Sequence, residues 1–114
     1  MKINFTFKNN TRITKEDKEY ARKKLEKIGD IEETLGIYMI YEYQNGLPKE
    51  KMHRVSIETH FQNGEFLKVE DEAITFRAAI DLAQEKALNM ARKIKERITN
   101  KKAKRKTKPT EIMK

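Results

Sequence analysis

Between Thr75 and Ile98, apolar residues recur at Phe76, Ile80, Ala83, Ala87, Met90, Ile94 and Ile98. Steps of three and four keep them on one side of a helix, so the spacing predicts a long amphipathic helix with a buried stripe. At about 100° per residue, Lys86, Lys93 and Arg97 fall on one flank of that stripe, with Arg77 and Lys95 on the other. The helix runs on into Lys101, Lys102, Lys104, Arg105 and Lys106. A packed face and a cationic extension therefore belong to one element, and the rest of the chain must supply what the stripe lies on.

That support is legible as four strands and a second helix. Lys2 to Lys8 alternates Ile3, Phe5 and Phe7 with Asn4 and Thr6, the period of a half-buried strand. Thr14 followed by Asp17 resembles a capping box, which predicts a helix from Lys15. It would bury Tyr20, Ala21, Leu25 and Ile28 and end near Gly29 in a left-handed cap. Lys18 and Arg22 flank its stripe on one side, Lys23 and Lys27 on the other, with Lys24 nearer the seam. Ile37 to Tyr43 and Met52 to Phe61 read as strands, separated by a loop with Gly46 and Pro48. Asn63-Gly64 suits a type I′ hairpin into Phe66 to Glu72. The order is β-α-β-β-β-α, an α+β fold with a four-stranded sheet and both helices packed on one face.

Charge is unevenly distributed. The 114 residues carry a formal net charge of +8, yet residues 89–114 hold eleven Lys or Arg against two acids, leaving residues 1–88 at −1. Such asymmetry favours a polyanionic partner, because each neutralised phosphate releases condensed counterions. Residues 1–99 form one domain, and the basic tail 100–114, without periodicity or aromatics, is expected to be disordered when free.

Several function classes drop out. Without cysteine there is neither a disulfide framework nor a thiol nucleophile. His53 and His60, seven apart on one strand, point to opposite faces and do not converge on a metal. Glu65, Glu70, Asp71 and Glu72 alternate sides and read as solvated edge charges, so no acid–base or cation site is expected. No apolar run approaches a membrane span. Tyr38, Met39, Tyr41 and Tyr43 read as sheet packing in preference to a base-stacking platform. There is no Gly-rich phosphate loop and no nucleophile–base pair, and the chain is expected to be cytoplasmic.

The element order, together with Ile13-Thr14, Asn63-Gly64-Glu65 and Ala78-Ala79-Ile80-Asp81, resembles the ribosome hibernation-promoting factor family, also called the ribosome-associated inhibitor or sigma-54 modulation protein family. The resemblance covers roughly residues 1–98. It implies a fold akin to double-stranded-RNA-binding domains, binding to the small ribosomal subunit at the decoding region, where messenger and transfer RNA would be excluded, and a protein that is not an enzyme and needs no cofactor. It places basic positions of the first helix at Lys18, Lys24 and Lys27, and those of the last at Lys86, Lys93 and Lys95. Two departures stand out: Thr75-Phe76-Arg77 replaces an acidic-Met-aromatic triplet, and Asn89 replaces a frequent Arg. Arg77 and Arg92 are the substitutes at hand.

Joining the two readings, the expected RNA-binding residues are Lys18, Arg22, Lys24, Lys27, Arg77, Lys86, Arg92, Lys93, Lys95, Arg97, Lys101, Lys102, Lys104, Arg105 and Lys106. The expected partner is the small ribosomal subunit with its rRNA, met by a chain that is monomeric when free. Lysines acting as point charges position a protein on phosphates without reading bases. The rival reading is a general binder of structured or double-stranded RNA outside the ribosome. A small nucleolytic enzyme and a basic membrane-surface protein are weaker alternatives.

Overall fold

The computed structural model describes the backbone of residues 2–9 and 11–112 and the side chains of 2–9 and 11–99. The elements are β1 (Lys2–Lys8), α1 (Lys15–Gly29), β2 (Thr34–Tyr43), a single 3₁₀ turn (Lys49–Lys51), β3 (His53–Phe61), β4 (Phe66–Ala73) and α2 (Phe76–Ile112). The basic tail 100–114, expected to be disordered when free, has a helical backbone as far as Ile112, where α2 ends, and its side chains lie outside the described residues.

The sheet runs β1-β2-β3-β4 in sequence order, with β1 parallel to β2 and the other pairs antiparallel. A parallel neighbour cannot be reached by a tight turn. The chain therefore crosses from β1 to β2 through α1. Asn9 ends β1 at φ 55, a conformation Asn tolerates better than most residues, and its amide donates to Glu42 Oε2 at 2.7 Å.

Alternation sorts each strand into two faces. Ile37, Met39 and Tyr41 of β2, Val55, Ile57, Thr59 and Phe61 of β3, and Leu67 and Val69 of β4 are buried beneath the helices. Helix α2 packs on β3 and β4 and against α1, which reaches β2. Among the described residues, the opposite face carries no helix.

Helix α1 begins as its sequence demands: Thr14 Oγ1 accepts from the Asp17 N–H at 3.0 Å. Its end differs from expectation. Gly29 stays helical and Asp30, in right-handed geometry, closes the last turn through N–H bonds to the Glu26 and Ile28 carbonyls. The β3–β4 connection also differs. Gly64 takes φ +92 but Asn63 does not enter positive φ, which excludes type I′. Instead Gly64 N–H donates to Phe61 O and Phe61 N–H to Glu65 O. This is a three-residue loop, a turn followed by a left-handed glycine bulge.

In α2 the buried stripe passes through Phe76, Ala79, Ile80, Ala83, Ala87, Ala91 and Ile94. Ala91 takes the place expected of Met90, which is 38% exposed. Three- and four-residue steps from Ala87 serve equally well, and the packing selects the smaller side chain. Four alanines at four-residue intervals let the helix backbone sit close to its neighbours.

Candidate nucleic-acid interface

The helices and strands carry different charge. Through Thr99, the two helices hold twelve basic and seven acidic residues, whereas the four strands hold four basic and five acidic. The helical layer is therefore the basic side of the domain, although ion pairs within the fold engage part of that charge.

At the junction of α1 and α2, Lys24 Nζ lies 3.1 Å from Asp81 Oδ1, and Arg77 Nε bonds Asp17 Oδ1 at 2.7 Å. Both cations also stand over the Tyr20 ring, Arg77 at 4.7 Å and Lys24 at 5.4 Å from its centroid, a favourable cation–π arrangement. Tyr20 donates to Asp81 Oδ1 at 2.7 Å, so it is only half-buried and not a core residue as expected. The Asp81 carboxylate raises the pKa of both partners, by accepting the Tyr20 proton and by stabilising charged Lys24. Gln84, buried on α2, adds a bond from Nε2 to the Lys24 carbonyl at 3.0 Å. Lys24 and Arg77 are thus brought together as a clasp between helices.

On the β4 side of α2, Lys86 Nζ meets Asp71 Oδ2 at 2.9 Å and the Glu70 carbonyl at 3.3 Å. Arg97 meets Glu65 Oε1 at 2.9 Å. Asp71 and Glu65, read from sequence as solvated edge charges, instead pin this helix flank to the sheet edge. Lys93 lies between them along α2, exposed. The flank assignment from helical spacing holds: Lys86 and Arg97 face β4, whereas Arg77 faces α1.

Lys18 and Arg22 both stand 5.5 Å from the Phe5 ring, and Arg22 also approaches Glu19 at 4.0 Å. Arg92 donates to Asn89 Oδ1 at 3.3 Å. Among the described residues, Lys18, Lys27, Arg92, Lys93 and Lys95 make no ion pair. These five, with Lys15 and Lys23 of α1, are the helical cations most available to an incoming anion, because no internal carboxylate need be displaced. The side chains of Lys101, Lys102, Lys104, Arg105 and Lys106 lie outside the described residues.

The helix-free face is electrically balanced. Arg54 Nη2 reaches both oxygens of the Glu70 carboxylate at 2.7 Å, which lowers the pKa of Glu70. His60 pairs with Glu58 at 2.6 Å on this face, while His53, on the other, lies 2.6 Å from the Tyr41 hydroxyl. The two histidines therefore point apart, as their spacing requires. Burial lowers the pKa of His53. Met39 and Tyr41 are core residues, but Tyr38 and Tyr43 are partly exposed.

Phe66 is the residue sequence reasoning passed over. It is 60% exposed and stacks on His60 at 5.6 Å. Its pairing with His60 across the β3–β4 hairpin is the signal that places it outside the core. Among the described residues no group of His, Cys, Asp and Glu side chains is arranged to hold a metal, and no helix is long and apolar enough to cross a membrane.

A family model described as sigma 54 modulation protein / S30EA ribosomal protein matches residues 3–99. Among solved structures, a ribosomal subunit interface protein from Coxiella burnetii superposes with a TM-score of 0.70 at 23% identity, covering 84% of this chain and 99% of that one. The Protein Y N-terminal domain of Thermus thermophilus superposes with a TM-score of 0.64 at 20% identity, covering 82% and 94%. At these identities the likeness is one of fold. By sequence alone, no individual curated protein matches the chain.

Proposed function

The chain belongs to the sigma-54 modulation protein / S30EA ribosomal protein family, and from that premise we propose that it is a ribosome-binding translation inhibitor. It acts in the cytoplasm on the small ribosomal subunit, occupying the decoding region so that transfer and messenger RNA are excluded. The observation that carries this reading is the basic helical layer, twelve cations against seven acids, in a domain whose family match runs from residue 3 to residue 99. A broad positive surface on two helices suits a structured RNA backbone, which is met through phosphates and shape.

Inhibition by this route needs no chemistry. The domain, monomeric when free, fills space and neutralises phosphates. Within the basic layer, Lys18, Lys27, Arg92, Lys93 and Lys95 would take phosphates first, with Arg22, Lys86 and Arg97 joining as their partners are exchanged. Lys24 and Arg77 would hold the two helices in register for that contact.

The test is co-sedimentation with purified small subunits across a salt series, with and without excess transfer RNA. Saturable one-to-one binding lost on adding transfer RNA is the expected result. Weak, non-saturating binding indifferent to transfer RNA would overturn it in favour of general RNA binding.

A further inference from the structure

A cavity of about 470 Å³ opens where α2 passes the start of β4, lined by Phe66, Met90, Lys93, Ile94, Glu96 and Arg97. Its size is that of small-molecule sites, and its chemistry has the same division, an apolar body with a few polar groups at the margin. Ile94, 3% exposed, is anchored in the core. Phe66 and Met90 are 60% and 38% exposed, an unusual loss of burial for two large apolar side chains placed side by side. The Phe66 ring is not loose, because His60 stacks against it with an interplanar angle of 19°, and His60 is itself held by Glu58.

We propose that this cavity receives one unpaired nucleobase of a bound RNA, stacked on Phe66 against the Met90 thioether, with Lys93 on the adjoining phosphate. A charged margin favours a nucleotide over an apolar peptide: Lys93 is a cation with no ion pair among the described residues, Arg97 is bonded to Glu65, and Glu96 is the one lining carboxylate that a phosphate on Lys93 must avoid. Continuity argues the same way, since Lys86, Lys93 and Arg97 form one flank of α2. Aromatic stacking captures unpaired bases because every base has a π-face, and in RNA it is the unstacked, splayed-out base that proteins grip in this manner. A purely basic ridge recognises phosphates alone; a pocket within it makes the domain prefer RNA that offers an unpaired base. The inference rests on the RNA-binding reading above.

The chain has no tryptophan, so Phe66→Trp puts a single reporter in the cavity while preserving the aromatic platform. Titration with a labelled single-stranded RNA octamer, and with a blunt duplex of equal phosphate number, reads fluorescence and anisotropy together. The expected result is saturable quenching by the single strand with little by the duplex. Phe66→Ala should weaken single-strand binding about tenfold while changing duplex binding less than twofold, and Phe66→Trp should restore it. Binding of the single strand without quenching, or an equal loss for both RNAs in Phe66→Ala, would overturn the proposal. Thermal unfolding of Phe66→Ala controls for folding. Subunit co-sedimentation of the same variant keeps the two ideas apart: the ribosomal reading fails if the parent protein does not bind subunits, whatever the octamer does.

Discussion

Tyr20 and Asp81, sixty-one positions apart, are joined by a 2.7 Å bond from the phenol hydroxyl to Oδ1. This contact closes the clasp between α1 and α2, because the same carboxylate oxygen holds Lys24. Tyr20→Phe keeps the ring beneath Lys24 and Arg77 and deletes only the bond. It should lower unfolding free energy by about 1 kcal/mol, the usual net worth of such a bond, measured by urea denaturation. A change indistinguishable from zero would mean that the carboxylate is satisfied by Lys24 alone.

Thr59 presents a second stability test. It is fully buried on the core face of β3, and its Oγ1 has no hydrogen-bond partner among the described residues. A stranded hydroxyl in an apolar setting is costly. Replacing it with the near-isosteric valine removes the polar group and leaves the volume. Thr59→Val should therefore raise stability by about 1 kcal/mol, readable as a higher Tm; a decrease would reveal a partner for the hydroxyl in solution.

Stability should respond to His53 in a definite direction. Burial depresses its folded pKa below the ordinary 6.5, so the unfolded chain takes up the proton first as pH falls. The contribution is complete above pH 6.5 and is lost as pH drops through the folded value. Tm should decline modestly from pH 7.5 to pH 5.5, and His53→Gln should flatten that decline. An unchanged slope in the variant would assign the effect elsewhere.

Among the cations, Lys93 should matter more to RNA binding than its exposure alone suggests, since it lies beside the cavity without an ion pair among the described residues. Lys93→Gln should reduce the slope of log affinity against log salt concentration by about one, as expected for one lost phosphate contact. The slope comes from anisotropy titrations at several salt concentrations. A slope equal to that of the parent would remove Lys93 from the contact surface.

Local rules carried most of the fold. Period-two alternation located four strands, and the side chain of Thr14 fixed the start of α1. What sequence could not give was pairing between distant residues. Nothing near Arg77 announces Asp17, and nothing near Lys86 announces Asp71, because those contacts exist only once the helices are docked. The exposure of Met90 was hidden for a related reason: a helical stripe admits Met90 or Ala91, and only the surface it meets decides. The hairpin shows a subtler limit. Asn63-Gly64 correctly marks a reversal, but loop length selects the turn type, and the three residues enclosed by the Phe61–Glu65 bond put only Gly64 at positive φ. The candidate interface was legible as a list of cations, not as a division between those engaged within the fold and those left available.

The separation of charge between helices and strands bears on how the domain meets a partner at all. The excess positive charge sits on one layer with near-neutral strands behind it, so the described elements are charged asymmetrically. In the field of a polyanion, such a body is turned before it arrives, helices leading. Productive collisions then form a larger share of all encounters. The Arg54–Glu70 pair and the near-neutral strands keep the rear surface from competing for the same anion, so orientation is set during approach and not by trial at the surface.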